Sequence, residues 1–189
     1  QCYSELVPIC IHQTPFHQST LLSVHDHIIK AMAQRKVTAL CLLDLSAAFD
    51  TIDHSILIHR LSSWFGLNGT VLSWLQSYIS SREFVVNINA SLSDPFPLHQ
   101  GVPQGSVLGP LLFILYTTPL SSLISNSYVK HHLYADDTQL FISFTALNFS
   151  LNIAHLKTTI NYSISSWMSA NLLSLNQSKT EFLLIGLPK

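Results

Sequence analysis

Three aspartates lie where apolar segments end, and together they could do chemistry on a phosphate. Asp44 follows the apolar run "VTALCLL", and Asp136 and Asp137 stand side by side in "HHLYADDTQLFI" between two apolar segments. A carboxylate beside buried strands is costly unless it is paired or binds a cation. On neighbouring strand ends, the three would form the oxygen-rich site that Mg²⁺ prefers. Two such ions about 3.5–4 Å apart stabilise the attacking and leaving oxygens of a phosphoryl transfer. The alternative is an ordinary solvated turn, where adjacent aspartates are common.

A glycine-rich loop, "GVPQGSVLGP", is the second candidate feature. Gly101, Gly105 and Gly109 allow the backbone to approach a ligand closely, and the helix that follows directs its positive end toward that ligand. An ordinary loop that enters a helix would also favour glycine and serine. Together with the carboxylates, the loop favours a ligand site.

The composition indicates a folded chain and gives no sign of a nucleic-acid partner. Of 189 residues, 48% are hydrophobic and 10% are charged, whereas disorder requires low hydrophobicity and high charge. The 9 lysines and arginines against 10 acidic residues produce no basic field. Three cysteines without a CxxC pair and ten scattered histidines indicate neither a disulfide framework nor a zinc site. The most apolar stretch, residues 107–116, is about half of what a membrane-spanning helix requires, so we expect no membrane partner.

Hydrophobic periodicity predicts the elements that must position these residues. Apolar residues three or four positions apart predict five helices, at 18–35, after Asp53, at about 71–78, through about Ile124, and over 149–167. Apolar or alternating runs predict strands at 37–45, at 84–90 with a return at 96–100 across the turn "SDPF", at 128–134, at 138–144, and as two short strands around a turn at the end. This mixture predicts an α+β fold, an antiparallel sheet with helices packed on one face.

Four stretches resemble, in order, the palm motifs of reverse transcriptases: "LLDLSAAFDTIDH", "QGVPQGSVLGPLLF", "LYADDTQLF" and "LLSLNQSKTEFLLIG". The resemblance is closest to non-long-terminal-repeat (LINE-like) retrotransposons and covers about residues 37–187. It implies an RNA-directed DNA polymerase that transfers nucleotides by a two-metal mechanism, with two Mg²⁺ ions or with Mn²⁺. It also implies one domain fragment over 1–189, divided into a palm at 37–65 and 100–189 and partial fingers at 1–36 and 66–99.

The resemblance assigns a role to each residue that matches a motif position. Asp44, Asp136 and Asp137 match the metal ligands, with Asp136 the more direct ligand of the pair. Leu45 would offer its backbone carbonyl to the second metal. Phe49 would place its ring under the sugar of the incoming nucleotide and exclude a 2′-hydroxyl; core packing is the alternative for this residue.

Two further motif positions concern the nucleotide. Gln104 and Gly105 match residues near the template and the incoming nucleotide. Lys179 matches a lysine near the triphosphate, which could protonate the leaving pyrophosphate or balance its charge, although a lysine in a turn is usually only solvated. Asp50 and Asp53 also follow the first motif, but we interpret them as a loop acid and a helix cap.

The partners implied are an RNA template, a DNA primer and deoxynucleotides. We expect the remaining fingers, the thumb and an endonuclease to lie elsewhere in a longer polyprotein, and the resemblance implies a location in nucleus and cytoplasm. An arginine-rich upstream element is not recognisable in "HQTPFHQST", and basic residues are few. A second hypothesis is therefore a catalytically inactive, truncated retroelement remnant that keeps the palm fold. A third, a different metal-dependent phosphotransferase or nuclease, is disfavoured by Phe49 and "PQGS".

Overall fold

The computed structural model describes residues 16–103 and 105–186, with the side chains of 16–21 left aside. The helices are α1 (Phe16–Ala33), α2 (His54–Ser63), α3 (Gly69–Ile79), α4 (Leu108–Ser125), α5 (Phe149–Thr158) and α6 (Ser165–Ala170), with a π-helical segment at Thr159–Ile164 and short 3-10 turns at Ala146–Asn148 and Gln177–Lys179. The strands are β1 (Val37–Leu43), β2 (Leu45–Ser46), β3 (Arg82–Phe84), β4 (Asn87–Ile88), β5 (Ser91–Leu92), β6 (Phe96–Leu98), β7 (Lys130–Tyr134), β8 (Asp137–Phe144), β9 (Ser174–Leu175) and β10 (Glu181–Ile185).

A four-stranded antiparallel sheet in the order β10-β1-β8-β7 positions the site. β1 pairs with β8 from Val37 opposite Phe144 to Leu43 opposite Thr138. On its other side β1 pairs with β10. A strand between two neighbours has its backbone groups satisfied and both faces available for packing, which explains the unbroken apolar run that predicted it.

Side chains of β1 alternate between the two faces of the sheet. Ala39, Cys41 and Leu43 are at most 3% exposed and belong to the main core, which α2, α4, α5 and α6 complete. Leu40 points to the other face, where it packs with Phe141 and with Val24 of α1. The predicted α+β architecture with a helical layer on one face is confirmed, and α1 additionally covers part of the opposite face.

The helix α4 is the central helix of the core. By length and composition alone it could cross a membrane, with a mean hydropathy of 1.4, and it is the one helix of the described residues that passes this test. Buried helices of folded proteins have the same composition. Phe113, Tyr116 and Leu120 are at most 1% exposed here, so the apolar character of α4 is explained by core packing.

The prediction of one continuous strand at 84–90 with a turn at "SDPF" is wrong, although the predicted return at 96–100 does contain a strand that pairs antiparallel, with Phe96 opposite Phe84. Two small hairpins form instead, β3 with β6 and β4 with β5. Between the two hairpins the Ser93 N–H donates to the Val86 C=O, and the Val86 N–H donates to the Ser93 hydroxyl in place of a backbone carbonyl. The inner hairpin turns at Asn89 and Ala90, whose φ angles of 50° and 65° match the left-handed turns that suit strand twist.

The C-terminal part of the chain also differs in detail from the prediction. The expected helix over 149–167 contains a π-helical stretch between α5 and α6, and such widened turns do not follow a 3.6-residue period. Its core-facing side chains, Leu156, Ile164 and Met168, are nevertheless buried. The two short final strands exist, but β9 pairs with β2 and β10 with β1, rather than with each other.

Candidate active site

The aspartate pair lies at the tip of the hairpin formed by β7 and β8. Tyr134 pairs with Asp137, which leaves Ala135 and Asp136 as the two turn residues. Ala135 has a φ of 49°, a left-handed conformation that suits tight hairpin turns. Asp136 is half-buried in the turn, and Asp137 begins β8 with an exposed side chain. The sequence therefore places both acids where β8 approaches the end of β1.

The strand register brings Asp44 next to Asp137. The pairing of β1 with β8 ends with Leu43 opposite Thr138, so the next residue on each side is Asp44 and Asp137. Residues directly opposite on antiparallel strands direct their side chains to the same face. Both aspartates line one cavity of about 450 Å³, together with Gln139, Lys179, Glu181 and neighbouring residues.

The third predicted ligand stands apart from this cavity. Asp136 is not among the residues that line it. Within residues 16–103 and 105–186, no three histidine, cysteine, aspartate or glutamate side chains form a group that could hold a metal ion. The structure thus brings together Asp44 and Asp137, and the assignment of all three as ligands stays a prediction.

Asp44 has an unusual environment for a carboxylate. Its side chain is 20% exposed, and its Oδ2 lies 3.4 Å from the Lys179 Nζ. The same Oδ2 is buried and makes no hydrogen bond. The contact with Lys179 is therefore ionic only, and its strength is modest because the Lys179 side chain is 68% exposed. An incompletely satisfied, negatively charged oxygen is costly to bury, and it fits the hard oxygen ligand that Mg²⁺ takes.

The backbone holds Lys179 close to Asp44. The Asn176 N–H donates to the Asp44 C=O at 2.8 Å, and Leu45 pairs with Leu175 in the β2–β9 ladder. Lys179 ends the short 3-10 turn that follows this ladder. Leu45 is 6% exposed in β2, and its predicted role as a carbonyl ligand stays a prediction.

Phe49 packs against the core beside the glycine-rich loop. Its half-buried ring has its centroid 5.0 Å from that of Phe113 in α4. Its backbone C=O accepts a hydrogen bond from the Val102 N–H at 2.9 Å. Phe49 therefore packs against the core, and its contact with the sugar of the incoming nucleotide stays a prediction.

The acids after the first motif have the places expected of them. Asp53 caps α2, and its Oδ1 accepts a hydrogen bond from the Ile56 N–H at 2.8 Å. Asp50 is exposed in the loop that precedes the helix. Asp53 is therefore confirmed as a helix cap.

The glycine-rich loop is attached to the segment that follows Phe49. The Gly101 N–H donates to the Ile52 C=O at 2.7 Å. At the far end of the loop, the Ser106 hydroxyl donates to the Pro103 C=O at 2.6 Å and accepts from the Gly109 N–H at 3.0 Å. Gly105 is exposed with a φ of 73°, and Gln104 lies outside the described residues. The nucleotide-binding roles of Gly105 and Gln104 stay predictions.

Sequence reasoning missed two residues of this region. Glu181 lines the same cavity and begins β10 opposite Leu42. The signal was an acid that precedes the apolar run "FLLI", the mirror of the pattern that identified Asp44. His54, the first residue of α2, reaches the glycine-rich loop, and nothing in its spacing indicated this contact.

The two adjacent histidines of β7, His131 and His132, pair with Leu140 and Gln139 of β8 and thus lie within the hairpin. Burial lowers the pKa of both His131 and His132. The His131 Nε2 bonds to the Ser121 hydroxyl at 2.7 Å, whereas the His132 Nε2 is buried with no hydrogen-bond partner. The bond from His131 to Ser121 connects β7 to α4.

Comparisons with known proteins identify the family of the chain. Residues 4–186 match the family described as reverse transcriptase (RNA-dependent DNA polymerase). The chain is 32% identical over 185 residues to the probable RNA-directed DNA polymerase from transposon BS of Drosophila melanogaster, and 28% identical over 141 residues to that from the mobile element jockey of Drosophila funebris. These matches cover 89% and 72% of this chain but only 19% and 15% of the relatives. The chain thus spans about a fifth or less of their length.

Solved structures show the same fold at lower identity. Telomerase from Candida tropicalis in complex with a fragment of telomeric RNA has a TM-score of 0.70 at 16% identity, covering 92% of this chain and 30% of that one. Apo telomerase from the same organism, truncated from its C-terminal domain, has a TM-score of 0.68 at 17% identity, covering 95% and 36%. The family match spans all of the residues that hold the four motifs, and the chain belongs to the reverse transcriptase (RNA-dependent DNA polymerase) family.

Proposed function

We propose that this chain is the palm of a LINE-like retrotransposon polymerase that copies RNA into DNA. The observation that carries the proposal is the meeting of Asp44 with Asp137 at adjacent strand ends, where one buried carboxylate oxygen lacks a hydrogen bond. The family generally uses divalent metal ions. The relatives with similar sequences are named RNA-directed DNA polymerases, which favours this function over an inactive remnant.

The residues of the cavity and those near it would have different roles in nucleotidyl transfer. Asp44 and Asp137, with Asp136 from the hairpin tip, would hold two Mg²⁺ ions, which when bound activate the attacking hydroxyl and stabilise the leaving oxygen. Lys179 supplies a positive charge at the same cavity and can neutralise the phosphates or donate a proton to the pyrophosphate. Phe49 orients the sugar through its packed ring and disfavours a ribonucleotide.

The substrates and partners follow from this proposal. They are an RNA template, a DNA primer and deoxynucleoside triphosphates, together with fingers, thumb and endonuclease segments of a longer polyprotein. The telomerase relative was solved with an RNA fragment, and its fold covers most of this chain. The location in nucleus and cytoplasm stays a prediction.

Primer extension on an RNA template tests the proposal. We expect the chain to extend a DNA primer with Mg²⁺ and deoxynucleotides, and Asp44→Asn, Asp136→Asn and Asp137→Asn each to lower the rate about 10²-fold or more. Metal stabilisation of the transition state contributes several kcal/mol, and each 1.36 kcal/mol is tenfold in rate.

An exposed acid provides the matched control. Asp94, an acid of the peripheral hairpin region, should tolerate Asp94→Asn with an unchanged rate. If the wild-type chain does not extend the primer, and Mg²⁺ changes the melting temperature of neither the wild type nor Asp44→Asn, the polymerase function of this chain is refuted. Extension with ribonucleotides as efficient as with deoxynucleotides would instead refute the role of Phe49.

A further inference from the structure

The first residue of α2 makes a long-range contact that the proposed function does not use. The His54 Nε2 lies 2.7 Å from the Gly101 C=O, although the two residues are 47 positions apart in sequence. A carbonyl oxygen can only accept, so Nε2 carries the proton and donates it. The half-buried imidazole therefore joins α2 to the start of the glycine-rich loop.

This bond completes the attachment of Gly101 to the segment that carries Phe49. The Gly101 N–H donates to the Ile52 C=O at 2.7 Å, and the next residue, Val102, donates to the Phe49 C=O at 2.9 Å. Gly101 is buried, and residues of the 49–54 segment provide the hydrogen-bond partners of both its N–H (the Ile52 C=O) and its C=O (the His54 imidazole). Without the imidazole, the buried Gly101 carbonyl would lose its partner, which is unfavourable.

The geometry at Gly101 leaves this segment little freedom. Its φ is 89°, and a Cβ there would lie 3.1 Å from the Asp50 Cα and 3.2 Å from the Phe49 C=O oxygen. The backbone at Gly101 is thus in direct contact with the backbone of Phe49 and Asp50. A hydrogen bond that holds Gly101 therefore also determines where the rest of the glycine-rich loop begins.

The orientation of His54 is itself determined by α2. The residue before it, Asp53, caps the helix through the Ile56 N–H and forms an isolated bridge with Gln100. The imidazole is therefore held at the first turn of a rigid helix. His59, on the same helix, is exposed and makes no hydrogen bond within the described residues.

We infer that His54 is a positioning residue for the incoming nucleotide, which acts by holding the glycine-rich loop at a fixed distance from Phe49. The inference rests on the proposed function, because it takes the incoming nucleotide to bind beside Phe49 and the glycine-rich loop. His54 itself does not touch the reacting atoms. Its loss should therefore weaken nucleotide binding rather than the chemical step.

Steady-state primer extension with variants of His54 tests this inference. For His54→Ala we expect a KM for deoxynucleotide about tenfold higher, which corresponds to about 1.4 kcal/mol, and a kcat within about twofold of wild type. His54→Gln should restore most of the affinity, because its amide N–H can donate to the same carbonyl. His59→Ala is the matched control and should leave both constants unchanged.

A second readout separates this inference from the proposed function. Deoxythymidine triphosphate affinity, measured by titration of the chain with Mg²⁺ and no primer, should fall about tenfold in His54→Ala and recover in His54→Gln. Absence of primer extension together with no effect of Mg²⁺ on the melting temperature would refute polymerisation, while the titration would still decide the role of His54. Equal nucleotide affinity in the wild type and His54→Ala would overturn the inference. So would a loss that His54→Gln does not restore, or one that His59→Ala shares.

Discussion

Replacement of Gly101 by alanine should destabilise the chain well beyond the usual cost of alanine at a left-handed position. At such a φ, a residue with a Cβ is disfavoured by roughly 1–2 kcal/mol. Alanine also reduces the conformational entropy of the unfolded chain, which stabilises the folded state by about 0.4–1 kcal/mol. Gly66, with a φ of 65° and no atom within 4 Å of the added Cβ, isolates these two effects. Gly66→Ala should therefore change the free energy of unfolding by no more than about 1.5 kcal/mol.

Gly101→Ala adds a steric effect to the same conformational cost. The new Cβ would lie 3.1 Å from backbone atoms of Asp50, which cannot rotate away as a side chain would. The loop must shift, and the hydrogen bonds from Gly101 to Ile52 and from Val102 to Phe49 must lengthen. At about 0.5–1.5 kcal/mol each, their loss should make Gly101→Ala about 1–3 kcal/mol more destabilising than Gly66→Ala.

Urea unfolding followed by far-UV circular dichroism measures the difference. Both variants should unfold with the m-value of the wild type, because the surface exposed on unfolding does not change. If the two alanines lower the free energy of unfolding equally, the contact between the loop and the segment after Phe49 does not constrain Gly101. The structural basis for the loop position would then be wrong.

Three further outcomes follow from buried groups. Burial raises the pKa of Cys41 to about 11, so its thiol should resist alkylation at pH 8 in the folded chain and react in urea; rapid reaction in the folded chain would contradict its burial. Arg60→Ala should lower the free energy of unfolding in urea by about 1–3 kcal/mol, because it removes a buried guanidinium that donates to the Tyr116 C=O and to the Asn171 Oδ1 and leaves the buried Asn171 amide oxygen without this donor; an unchanged free energy of unfolding would contradict this. Burial lowers the pKa of His131 and His132, so that below about pH 6.5 the unfolded chain binds more protons than the folded chain. The free energy of unfolding should therefore fall as the pH drops through 6.5. His132→Gln should make this pH dependence shallower, and an unchanged slope would refute the reasoning.

The central sheet could be predicted because each of its strands leaves a local signal. β1 is an unbroken apolar run, and the acids at the end of β1 and the start of β8 fix where the strands stop. Antiparallel pairing then places Asp44 and Asp137 next to each other. The peripheral hairpins could not be read correctly, because their turn depends on two left-handed residues, Asn89 and Ala90, neither of which is glycine.

Long-range contacts are the part of the site that sequence alone does not specify. His54 donates to a carbonyl 47 residues away, and nothing in the sequence around His54 indicates this contact. The ionic contact between Lys179 and Asp44 depends on β9 pairing with β2, and the prediction of two short final strands did not specify their pairing partners. Local periodicity determines the elements, whereas which of them meet is decided by tertiary packing.

The short β2–β9 ladder has a mechanical consequence for the palm. Because Asn176 bonds to the carbonyl of Asp44 itself, and Leu175 pairs with Leu45, the segment that carries Lys179 and the segment that carries the carboxylate are joined main chain to main chain. A displacement of one is transmitted to the other with no flexible side chain between them. Exchanging residues 174–180 for the corresponding segment of a relative would therefore also move the acid at the end of the first strand.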